Sequence, residues 1–204
     1  SASCHNLDNV NLNLSSVAIT GDYIVFHSKY SEFFIFRAVI DNIVHASIGT
    51  LSALLFFINV DRSRQAWIYN IIICTIVSSL IDVDHFIVAK SYFFQDLTNL
   101  KYRGFLHCTS LWFILTTILL IYSYIYMKNN IYVLSYMLIL AYTSHHIRDG
   151  NRRGLWVYPF GHTPPIHKYV YVLLLGILPI IFGYIFQLMK PITKNTIVQY
   201  SMLV

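Results

Sequence analysis

Residues 66–86 read AWIYNIIICTIVSSLIDVDHF. Up to Ile81 the stretch is apolar enough to sit in lipid, and it then ends on Asp82, Asp84 and His85. Ionisable groups at membrane depth are costly and mark function when they persist. A capping role does not explain them, because a carboxylate at a helix C-terminus opposes the helix dipole. The stretch therefore reads as a spanning helix that carries a site at its end.

Composition agrees with a membrane chain. Of 204 residues, 56% are hydrophobic and only 11% charged, and the mean hydropathy is +0.58. A soluble domain carries roughly 25% charged residues. The net charge of +5 comes from cations scattered singly between apolar runs. That pattern excludes a nucleic-acid partner, which needs a basic stripe, and it points to headgroups and orientation. Cys4, Cys74 and Cys108 have no metal-type spacing.

A spanning helix needs about 20 mainly apolar residues. Six spans are expected, near 10–27, 38–60, 66–89, 105–127, 131–149 and 169–189. The first is the weakest, being rich in Asn and Ser and carrying Asp22. Pro179 predicts a kink in the last. With no repeat and no linker, one all-α domain is expected: a polytopic integral membrane helical bundle, its organelle unspecified.

Alternating spans place the ends of odd spans and the starts of even ones on one membrane face. Asp22, Asp41, His45, Asp82, Asp84, His85, Arg103, His107, His145, His146, Arg148 and Asp149 all fall there. Asp41/His45, Arg103/His107 and His145/Asp149 are i,i+4 pairs, and Asp82/His85 is an i,i+3 pair, so each pair should share a helical face. Asp84 should point elsewhere unless the helix has already ended. Imidazoles and carboxylates converging from several helices form a divalent-metal site, with zinc the first candidate and manganese or iron the alternatives.

Each residue has a plainer role beside this one. Asp41 reads as an orienter of His45. His146 should face a neighbouring helix or the headgroups. Arg103 is either a snorkelling cation or an anion clamp. The Pro- and Gly-rich loop PFGHTPP (159–165) can bring His162 over the site. On this topology the site face carries nine Lys or Arg residues against five opposite, which predicts a cytosolic or matrix-like side.

IDVDH (81–85), YRGFLHC (102–108) and the AYTSHHIRDG…GLWVYP stretch (141–159) carry a resemblance to two related groups. One is the bacterial inner-membrane metal-dependent hydrolases, with the pattern Asp-x-Asp-His, His-Arg-Gly-x-x-His-Ser and Ser-His-x-x-x-Asp. The closer one is the eukaryotic transmembrane protein 267 family, which the chain resembles from about Asp41 to Pro165. The bacterial pattern lands on Asp82, Asp84, His85, Arg103, Gly104, His107, His145 and Asp149, with His45 standing for an early His. The chain departs from it at Tyr102, where the pattern has His, and at Cys108, where it has Ser.

The resemblance and the residues together imply a metal-dependent hydrolase acting on a lipid-like phosphoester or ester. Asp82, His107, His145 and Asp149 are the expected metal ligands, with His45 a further one. Asp84 or His85 is the expected general base or acid, and Arg103 the residue that neutralises developing negative charge. Membrane lipids are the expected partners. The alternative is a non-catalytic subunit or scaffold with protein partners in a larger membrane complex, which the Tyr102 departure favours. A carrier is disfavoured, because carriers place their sites near the midplane.

Overall fold

A computed structural model describes residues 2–58, 60, 63–90 and 103–190, with side chains from Asn6 onward. Tyr102 and the 91–100 loop lie outside the described residues, as do Arg62, Lys101 and Lys194 among the cations counted for orientation. Helix α1 spans Ala2–His27, α2 Phe34–Ile58 and α3 Arg64–Leu80. A 3₁₀ turn at Ile81–Val83 leads into α4, Asp84–Ala89. A second 3₁₀ turn, Phe105–His107, precedes α5 at Thr109–Ile125. Then come α6 at Asn129–Arg153, a hairpin of β1 (Trp156–Val157) and β2 (Gly161–His162), and α7 at Lys168–Leu188.

Among the described residues the bundle is all-α apart from that hairpin, and its six long helices agree in number with the six expected spans. Three of them, Phe34–Ile58, Arg64–Ala89 and Lys168–Leu188, are long and apolar enough to cross a membrane. The apolar α5 is shorter, because residues 105–108 leave the helix for a 3₁₀ turn and an extended Cys108. Helices α1 and α6 have the length but not the apolarity. For α6 the packing explains this: α2, α3, α5 and α7 all lie against it, so its polar positions face protein. Pro179 sits inside α7, which continues through it. Phe113, Ile118, Leu173 and Ile72 project outward with more than half their surface exposed, which suits lipid and would be a liability in water.

Small residues bring α2 and α3 close together. A Cβ on Gly49 would stand 2.7 Å from the Cβ of Ser78. The hydroxyl of Ser78 donates to the carbonyl of His45 at 2.9 Å, and Thr50 and Thr75 share a hydrogen bond of 2.7 Å. Backbone approach through Gly and Ser is how helices pack where no hydrophobic effect draws them together. Away from the ionisable cluster the core is aromatic, with Phe56, Tyr136 and Phe186 stacked edge to face. The contacts thus lock α2, α3 and α6 into the arrangement on which the site is built.

Candidate metal centre

At Ile81 the α3 path tightens from an α-helix to a 3₁₀ turn. That change of pitch moves every following side chain around the axis. Asp82 is left half-buried facing α6, while Asp84 turns fully inward. His107 is delivered by the 3₁₀ turn before α5, so the helical face expected for Arg103 and His107 does not exist. His45 comes from α2, and His145 and Asp149 from one face of α6.

The expected ligand residues converge. Asp82 Oδ1 lies 3.4 Å from Nε2 of both His107 and His145. Asp149 Oδ2 lies 3.5 Å from His107 Nε2 and 4.0 Å from His145 Nε2, and the two Nε2 atoms are 3.4 Å apart. His45 stacks on His145 with ring centroids 3.7 Å apart, and its Nε2 is 3.5 Å from Asp149 Oδ1. His85 also joins: with Asp82 and His107 it forms a further group able to hold a metal ion, beside His45/Asp82/His145 and His107/His145/Asp149.

The partners of the imidazoles assign their protons. His145 Nδ1 faces the carbonyl of Ser78 at 2.9 Å, and a carbonyl only accepts, so Nδ1 carries hydrogen. His107 Nδ1 lies 3.1 Å from both oxygens of Asp84, which also accepts the Leu106 amide at 3.0 Å. In neutral rings both Nε2 atoms are then bare lone pairs. In that state they face each other and two carboxylates, an arrangement that a shared cation satisfies. His45 is 1% exposed, and neither of its ring nitrogens has a hydrogen-bond partner. Buried polar atoms are normally satisfied.

A cation at the centre would give the facing Nε2 and carboxylate atoms a common partner. A tetrahedral ion with bonds of about 2.0–2.2 Å spaces its ligand atoms by about 3.3–3.6 Å, close to most of the separations seen. The donor set therefore fits a divalent metal ion. The Nδ1 contacts to Asp84 and to the Ser78 carbonyl are the outer bonds that usually orient metal-bound histidines.

Asp84 is fully buried and points at His107 instead of into open space. Gly104 makes room for it, since a Cβ there would stand 2.1 Å from Asp84 Oδ2. Arg103 donates to the carbonyl of Gly154 at 2.8 Å and lines the cleft beside the cluster. Asp41 does not orient His45. It pairs with Arg148 Nη1 at 2.7 Å, and Arg148 Nε donates to Asp22 Oδ1 at 2.9 Å. His146 bonds Leu106 and Thr109 in the interior. His162 is exposed, stacks on Trp156 and does not line the cleft.

Sequence reasoning counted Arg37, Arg152 and Arg153 only as orientation charge, yet all three line a cleft of about 700 Å³ over the cluster. It also missed Ser78, whose carbonyl orients His145. No local motif marks these residues. Only the shared end of the helix bundle links them.

Fold and site define the class: a polytopic integral membrane protein with a buried His/Asp cluster that can hold a metal ion. The profile described as YdjM inner membrane protein matches residues 40–204, and the chain belongs to that family. It is similar to transmembrane protein 267 of Danio rerio, 40% identical over 144 residues, which is 70% of this chain and 64% of the relative. The Bos taurus protein of that name is 35% identical over 150 residues, 73% of this chain and 68% of the relative. The Mus musculus protein is 36% identical over 138 residues, 67% and 63%. The chain thus matches about two thirds of these relatives' lengths. No solved structure matches.

Proposed function

We propose that the protein is a metal-dependent membrane hydrolase acting on a lipid-like phosphoester or ester. The observation that carries this reading is the convergence of four side chains: the Nε2 atoms of His107 and His145 lie 3.4 Å apart, each within 3.4–4.0 Å of an oxygen of Asp82 and of Asp149. Asp82, His107, His145 and Asp149 would hold the ion, zinc first in order, with His45 a further ligand. A divalent cation held there supplies Lewis acidity toward a phosphoryl or acyl oxygen and toward water.

The remaining residues take roles that follow from position. His85 borders the cleft with about a third of its side chain exposed and Nδ1 3.9 Å from Asp82, so it is the candidate to move a proton. Asp84, buried on His107, is assigned a positioning role in place of acid–base work. Arg103 reaches the cleft wall, where it can meet negative charge developing on a substrate.

The test is elemental analysis of purified protein together with hydrolysis assays on a phosphoester and a carboxyl ester lipid. The parent should carry near-stoichiometric metal and cleave one substrate class, and His145→Ala should lose both. Metal that stabilises the fold in a parent cleaving neither class would favour the scaffold alternative. A metal-free parent that cleaves neither substrate would sink the proposal.

A further inference from the structure

The cleft over the cluster has two kinds of wall. Arg37, Arg103, Arg152 and Arg153 line it, against the acidic side chains Asp41, Asp82 and Asp149. Asp41 is already matched by Arg148, and Arg152 is engaged with Asp149 at 2.8 Å. Among the described residues neither Arg37 nor Arg153 makes an ion pair; the guanidinium of Arg37 rests over the Phe34 ring at 5.7 Å. The cleft therefore keeps cationic capacity beyond what its own carboxylates use, before any metal ion is counted.

The other wall is apolar and opens outward. Val39 and Ile43 lie one turn apart on α2, and Val83 faces them from the 3₁₀ turn. All three line the cleft, yet they remain 46%, 52% and 43% exposed. Ile87, on α4 four residues after Val83, is 59% exposed. In a chain that spans a membrane, such a surface meets acyl chains. A volume of about 700 Å³ falls within the range of small-ligand sites, enough for a headgroup whose tails stay in the bilayer.

We infer that the cleft binds the phosphate of a phosphomonoester lipid, entering sideways between α2 and the Val83–Ile87 segment, with Arg37 and Arg153 as the residues that grip the anion. Guanidinium forks suit phosphate, which takes two parallel hydrogen bonds from each. A neutral ester would offer neither arginine an anion, and among the described residues neither has one of its own. The location rests on the site reading above, but the arginines' part does not need the metal.

The experiment uses the full chain in detergent, both as purified and after chelation. It measures binding to vesicles of phosphatidylcholine alone, or containing phosphatidic acid or diacylglycerol, and thermal protection by inorganic phosphate. The phosphatidic acid vesicles should bind best, with or without chelation. Arg37→Gln and Arg153→Gln should each weaken that preference by about tenfold, the usual scale for a hydrogen bond to a charged group. Arg64→Gln, at the start of α3 away from the cleft, should not weaken it, and Arg37→Lys should restore part of the loss. Protection by inorganic phosphate that needs Arg37 and Arg153, without lipid preference, would support phosphate recognition and overturn the membrane source. Equal binding to all vesicles with no phosphate protection would overturn the inference, whatever the metal content. So would Gln variants that fold and bind like the parent.

Discussion

Two neighbouring residues near the end of α6 face different worlds. Arg148 and Asp149 are adjacent, so they project about 100° apart around the helix. Arg148 reaches Asp22 and Asp41, and Asp22 also accepts the Tyr171 hydroxyl at 2.5 Å. There every carboxylate has a cation of the chain's own. Asp149 faces His45, His107 and His145. There Arg152 is the only guanidinium paired with the cluster among the described residues, and imidazole nitrogens converge on carboxylate oxygens. The first region is an ion network that ties α1, α2, α6 and α7 together, and Arg152, 3.8 Å from Asp41, borders both regions. The second is arranged for a cation from outside.

The largest effect should come from breaking the Arg148 network. Arg148→Ala strands Asp22 and Asp41 inside the bundle, at a cost of about 3–5 kcal/mol, as for one partner of a buried pair. Chemical or thermal unfolding in detergent measures it, and metal per folded molecule should stay near the parent's. A variant that kept full stability while losing metal would show the two regions to be one.

On the open side, Asp84→Asn should lower metal affinity by about 10–100-fold, the range for outer partners of metal-binding histidines. Gly104→Ala should do likewise, because its Cβ would collide with the Asp84 carboxylate. Competition with a calibrated chelator reads both. Unchanged affinity in both variants would remove Asp84 from the site.

The smallest effect is expected at His146, one residue from His145 and turned away from the cluster. His146→Ala removes hydrogen bonds to Leu106 and Thr109, worth about 1 kcal/mol net each, and should leave metal content intact. Metal loss from His146→Ala but not from His145→Ala would assign the two histidines the wrong way round.

Much of the architecture could be read from apolar runs alone, since a chain this poor in charge has to span lipid. The gathering of ionisable residues at one face also followed from the alternation of spans. The bonds they make did not. Periodicity ranks directions within one helix, so it paired Asp41 with His45, whereas packing against α6 gave Asp41 to Arg148. The 3₁₀ turn at Ile81–Val83 aimed Asp84 at His107 while His85 kept its expected place beside Asp82, and residues 103–108 abandoned the helix that would have set Arg103 beside His107. Sequence determined that a costly set of charges would gather at one end of the bundle, because the ends of odd spans and the starts of even ones come together there. Tertiary structure decided which became an ion network and which an open donor set, because that choice depends on how neighbouring helices are rotated and how closely Gly49 and Ser78 let them approach.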